Sequence, residues 1–234
     1  MGAKIDKPLK RSRSRRSRPA AQRANELTEL ALRACLIASD AAFNTRDFLA
    51  NSAQMAFLAV RDCEKELDRI EQQIDEQLPA RIAEVAEPEA RELLACLRFS
   101  TELERIGDLL WGIAQRARSL ETKLPASDSE QLLKMLDVLE KLLQSVREGF
   151  VERDLGPAGY VLRADREIDL IYKTLFRKYL QTETPRVTKH RADVLLMAQA
   201  LERAGDHATN LAEELFRLIE GRSLRHTPKR QLKD

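Results

Sequence analysis

Eight carboxylates fall into four pairs with the spacing acid-x-x-x-acid: Glu64 and Asp68, Glu104 and Asp108, Asp165 and Asp169, Glu202 and Asp206. Residues four apart on a helix stand about 40° apart around its axis, so each pair shares one face. Two like charges in that position repel by roughly 0.2–0.5 kcal/mol. A cation between them offsets the repulsion. Hard oxygen donors of this kind suit Mg, Mn, Ca or ferric iron better than a thiol-preferring metal. A single pair would be an ordinary solvated face. Four pairs placed alike in two halves of a chain form a pattern.

Two of the pairs lie in a repeated phrase, Leu103-Glu-Arg-Ile-Gly-Asp108 and Leu201-Glu-Arg-Ala-Gly-Asp206. The upstream pairs, Glu64/Asp68 and Asp165/Asp169, precede the phrase by similar distances in both halves, which points to a duplicated unit. Around the helix carrying Glu104, the apolar Leu103, Ile106, Leu110 and Ile113 cluster about 180–260° away. The acids therefore stand off the apolar stripe, on an exposed or half-exposed face. If the helices carrying each half's two pairs pack side by side, four carboxylates meet on one patch. Arg105 and Arg203 can offset some of that charge or form ordinary surface ion pairs.

The elements that must position these acids read as six amphipathic helices in two groups of three. The first runs from about residue 20 to Ala42, and Phe43 to Asp47 breaks it. A second spans roughly 47–77, and Pro79 ends it or marks its last turn. Glu87-Pro88 opens a third, with Pro at its first position, that continues to about Ser119. Leu124-Pro125-Ala126 is a linker, and the capping-box pattern Ser127-x-x-Glu130 opens a fourth. Gly156-Pro157-x-Gly159 turns the chain into a fifth helix from Tyr160 to Tyr179. Thr182 to Pro185 breaks that helix, and a sixth runs from about Thr188 to Glu220 with Gly221 as its cap. The expected fold is all-α: two tandem antiparallel three-helix bundles, over 20–122 and 126–221, with polar residues 222–234 after them.

Composition narrows the alternatives. The 234 residues are 43% hydrophobic and 33% charged, with only 8 Gly and 8 Pro, which suits helices with charged outer faces and not a turn-rich β-fold. No apolar run reaches the roughly 18 residues of a membrane span, and no secretory h-region is present, so a cytoplasmic protein is expected. Cys35, Cys63 and Cys96 lack CxxC spacing and read as reduced, partly buried thiols. The net charge of +2 hides an uneven distribution: residues 1–18 carry eight cations and one acid. Residues 1–19 are thus expected to be a disordered basic tail, either solvated or an arm for nucleic acid or an anionic surface. Catalysis is not expected. No Glu-x-x-His pair, glycine-rich phosphate loop, nucleophile elbow or Cys–His arrangement occurs, and His190, His207 and His226 have no ligand spacing.

The repeated phrases, the upstream acid pairs, and the continuation from Asp206 through His207 and Asn210 to Glu213 resemble the PhoU family over about residues 20–221. That resemblance implies metal ions (Mg, Mn, Zn or Fe) held on the bundle surface, and a frequent homodimer. It also implies a regulatory role that links a phosphate ABC importer to a membrane sensor histidine kinase and restrains the phosphate-starvation response. Carried over by position, the preferred second site is Asp165, Asp169, Glu202 and Asp206, extended by Asn210 and Glu213. The first site is Glu64, Asp68, Glu104 and Asp108. It departs from the pattern, with Gly112 and Gln115 where Asn210 and Glu213 stand and Trp111 beside the face, so weaker binding is expected there. The competing readings are a helical adaptor without metal, an accessory of another transport system, and a nucleic-acid-binding protein acting through its basic tail.

Overall fold

The chain folds into six long helices in a computed structural model that describes residues 20–180 and 189–221. The expectations for residues 1–19, for the break at Thr182 to Pro185 and for residues 222–234 lie outside the described residues. The helices are α1 (Ala20–Asn51), α2 (Gln54–Ile82), α3 (Glu87–Arg118), α4 (Ala126–Glu152), α5 (Leu155–Leu180) and α6 (Lys189–Glu220). None of the described helices is long and apolar enough to cross a membrane.

Four helices differ in their bounds from the sequence reading. Helix α2 begins at Gln54 rather than near 47 and runs on to Ile82, with Pro79 in its last turn. Helix α1 runs straight through Phe43 to Asp47 and turns at Ser52, whose φ is 54°. Asn44 and Thr45 do not break it because their side chains donate back to the carbonyls of Asp40 and Ala41, both at 2.7 Å. Phe48 also packs on Phe57 of α2, ring centres 5.2 Å apart, so tertiary contact overrides the polar stretch. Helix α4 has no capping box: Pro125 stands at its N-cap, and the Ser127 hydroxyl instead accepts from Lys178 Nζ at 3.1 Å. Helix α5 begins before Gly156. Left-handed Arg153 (φ 55°) makes the turn, and the Asp154 carboxylate accepts from the Gly156 N–H at 3.0 Å. Pro157 then sits within the first turn, where no helical hydrogen bond is lost.

Helices α1 to α3 pack on one another, as do α4 to α6. The halves join along their inner helices: α1 lies on α4, and α3 on α6. Helices α2 and α5 are left at the outer edges. One apolar core runs through both halves. Phe99 of α3 stacks on Phe150 of α4 with ring centres 4.7 Å apart, both buried. Cys35 and Cys96 are buried and free, and burial pushes each thiol up to about 12. These thiols stay protonated in the core.

Candidate functional site: two carboxylate joints

The glycine of each repeated phrase sets the geometry. A side chain at Gly107 would bring its Cβ to 2.6 Å from Leu67 Cδ1 and 3.8 Å from the Glu64 Cα. At Gly205 the Cβ would meet Asp165 Oδ1 at 2.6 Å and Ile168 Cδ1 at 3.3 Å. Leu67 and Ile168 are equivalent positions of the duplication, as are Glu64 and Asp165. Glycine is thus what lets the third helix of each half lie close on the second. The acids flank that contact.

The four acids of the first joint act on one another electrostatically. Burial, then Asp108 across the joint and Asp68 on the same helix, raise the Glu64 carboxyl, with Lys65 pulling it back. Burial, then Asp108, Glu71 and Asp68, push Glu104 up to about 7. Cross-helix repulsion therefore runs both ways, and Glu71 adds a fifth carboxylate that the sequence reading missed. Glu71 lies seven residues beyond Glu64, which returns to the same helix face, and that spacing was its signal. Gln72 donates to Asp68 at 2.9 Å.

The second joint is more compensated. Burial, then Asp206 and Asp169, raise Glu202, while Lys173 and Arg203 lower it. Lys173 also pairs with Asp169 at 3.2 Å. Asp165 is buried against Gly205.

Two residues named with the sites make their contacts elsewhere in this structure. Asn210 reaches toward the seam. Its Nδ2 donates to Glu102 Oε2 on α3 at 3.0 Å, across the seam between the halves. The same oxygen lies 2.6 Å from His207 Nδ1. A shift of 40° per four residues was enough to carry Asn210 from the acid face to the neighbouring helix. Glu213 is half-buried on α6. Trp111 packs on Phe57, ring centres 4.9 Å apart.

Glu102, His207 and Asn210 form a polar cluster that the sequence did not reveal. Burial raises Glu102, but hydrogen bonds from His207 and Asn210 outweigh it and hold the carboxyl below its ordinary value. Buried acids pin the seam on either side of it. Arg98 donates to both oxygens of Glu214 at 2.8 Å, and Arg116 to Asp193 at 2.8 Å. The repeat also relates this cluster to a cleft. Glu104 and Glu202 are 98 positions apart. The same shift carries Leu109 onto His207, Gly112 onto Asn210, and Glu102 onto Ala200. Leu109, Gly112 and Ala200 line an open cleft between α3 and α6, with Asp108 and Arg203 beside them. One half of the seam is bridged; its counterpart is left open.

The donor chemistry of both joints fits a hard cation, because every group is a carboxylate and several are raised by their neighbours. The side chains are not yet gathered around a point. Among the described residues no group of three or more converges closely enough to hold an ion as it stands.

Known proteins resemble the chain throughout this region. The family model described as the PhoU domain matches twice, over residues 25–117 and 132–215. A phosphate-specific transport system accessory protein PhoU homolog of Rhizobium meliloti is 33% identical over 161 residues, covering 66% of this chain and 68% of that protein. One from Pseudomonas aeruginosa is 30% identical over 182 residues, covering 75% and 74%. The crystal structure of PhoU from Pseudomonas aeruginosa superposes with a TM-score of 0.80 at 23% identity, over 87% of this chain and all (100%) of the other. The phosphate transport system regulatory protein PhoU from Streptococcus pneumoniae gives 0.78 at 20% identity, over 88% and 99%. At those identities the two structures speak for the fold.

Proposed function

This chain belongs to the PhoU family, and on that premise we propose that it is a non-catalytic accessory and regulator of phosphate transport whose carboxylate joints bind metal ions. The observation that carries the metal reading is the meeting of carboxylates from both helices beside Gly107, where burial, then Asp108, and then Glu71 and Asp68 of the facing helix raise Glu104. Glu64, Asp68, Glu104 and Asp108 would hold the ion at the first joint, and Asp169, Glu202 and Asp206 at the second. The ion supplies positive charge that ties helix two to helix three in each half. The protein's own part is to hold that tie at fixed helix spacing, and so to stiffen the surface offered to partners. Following the resemblance, those partners are a phosphate ABC importer and a sensor histidine kinase.

Charge balance favours the first joint, reversing the order drawn from the sequence. Its acids have Glu71 in addition, whereas Lys173 and Arg203 already compensate the second. Titration calorimetry of metal-free protein with Mg, Mn, Zn and Fe tests the reading. Heat of binding and a rise in melting temperature are expected. No binding of any of the four, with an unchanged melting temperature, leaves the helical adaptor without metal. A phosphate-starvation reporter in a deletion strain tests the regulatory half. Constitutive expression is expected, and a normal response sinks it.

A further inference from the structure

The duplication supplies an internal control for the outer face of α5. At 100° per residue, Arg163, Arg166, Asp169, Leu170, Lys173, Phe176, Arg177 and Leu180 fall within an arc of about 140°. Leu170, Phe176 and Leu180 are 64%, 44% and 53% exposed. They sit among four cations and one carboxylate, Asp169, which Lys173 already pairs. The equivalent face of α2 also holds two cations, Lys65 and Arg69, but no exposed Leu or Phe. Asp62, Lys65, Arg69, Gln72, Asp75, Glu76 and Pro79 stand where Arg163, Arg166, Leu170, Lys173, Phe176, Arg177 and Leu180 do, all exposed. The two outer helices meet the same packing demands on their inner sides, so folding does not account for the difference. Single exposed apolar residues are commonplace, but three on one face inside a ring of cations mark a contact surface.

The position and chemistry of this face select the partner. The face belongs to an outer helix that packs only on α4 and α6 among the described helices. Apolar side chains projecting between Arg and Lys match the boundary of an anionic bilayer, where cations meet lipid phosphates and apolar groups reach the acyl region. Nucleic acid would use the cations and leave Leu170 and Leu180 in water. We propose that the outer face of α5 docks on the surface of a membrane rich in anionic phospholipid, so that the second half lies against the bilayer and the first half points away.

Flotation of the full-length protein with phosphatidylglycerol-rich vesicles, against pure phosphatidylcholine vesicles, tests this. Binding to the former is expected. Leu170→Ser with Leu180→Ser should lower the partition coefficient by about tenfold or more. Arg166→Gln with Arg177→Gln should lower it by a similar factor. Arg69→Ser with Asp75→Ser on α2 should leave it unchanged. The basic N-terminal sequence is separated from the face by repeating the series in full-length protein with Arg11, Arg13, Arg15, Arg16 and Arg18 changed to Gln. Phe176→Trp provides a positional readout, with a blue shift of its indole emission expected on phosphatidylglycerol vesicles. Absence of vesicle binding overturns the proposal and leaves the face to a protein partner. So does binding indifferent to the α5 substitutions in both backgrounds, or an indole emission from the Phe176→Trp variant that stays unmoved while the protein is bound.

Discussion

Gly107 and Gly205 close the same joint in the two halves, but each meets a different wall. The first faces Leu67 Cδ1, the end of a flexible side chain; the second faces Asp165 Oδ1 and the branched Ile168. The first half packs its joint with carbon and keeps its carboxylates outside. The second brings a carboxylate into the contact and surrounds the others with Lys173 and Arg203. The seam shows the same divergence: His207 and Asn210 bridge to Glu102, while Leu109 and Gly112 leave a cleft before Ala200. A duplicated scaffold holds its backbone and specialises its side chains. One joint gathers a fifth carboxylate, and the other sets two cations beside its acids.

Cation binding is where that contrast should separate the halves most sharply. Asp68→Asn with Asp108→Asn should weaken it by more than about tenfold, and Asp169→Asn with Asp206→Asn by much less, in calorimetric titration. Equal losses would erase the distinction. Next in size is the glycine pair. Gly205→Ala should cost about 2 kcal/mol in denaturant unfolding, because Asp165 and Ile168 must both shift. Gly107→Ala should fall within about 1 kcal/mol of wild type, since Leu67 can rotate and alanine favours the helix. Equal costs would show that the walls are equivalent.

The third test uses pH. Glu104 is raised from 4.5 to about 7, so stability is fully present below the ordinary carboxyl range and is lost as pH rises through about 7. Without metal, the melting temperature should fall across that window. Glu104→Gln should flatten the fall and raise the neutral-pH value by about 1–3 °C. Glu102 runs the other way. Its carboxyl is depressed, so its contribution is held above the ordinary range and lost as pH falls through it. His207→Ala should remove about 1 kcal/mol at neutral pH. The smallest effect belongs to the open side of the seam. No atom lies within 4 Å of a Cβ built at Gly112, so Gly112→Ala should stabilise by about 0.5–1 kcal/mol.

Much of this was legible in the sequence. The six helices, their grouping and the four acid pairs all come from periodicity and repetition, which are local properties. The break expected at Phe43 to Asp47 failed because Phe48 has a partner on α2, and a local reading cannot see it. The contact of Asn210 with Glu102 was not legible, because helical spacing fixes direction only to within tens of degrees and the packing of α3 on α6 decides which helix it reaches. Glu102 was invisible for the same reason: its partners lie more than a hundred residues away. The expected order of the two joints rested on the residues one and two turns beyond Asp108 and Asp206. The charge balance comes instead from Glu71, Lys173 and Arg203, on and beside the joints.

The buried stack of Phe99 on Phe150 has a consequence for how the chain holds its form. Each half would expose an apolar flank in isolation, and the other half is what covers it. The molecule behaves as a fused pair of subunits, and residues 119–125 act as the tether that raises the local concentration of one half around the other. A break in that tether would turn an intramolecular contact into a bimolecular one. Stability would then depend on protein concentration, and the two fragments would become obligate partners.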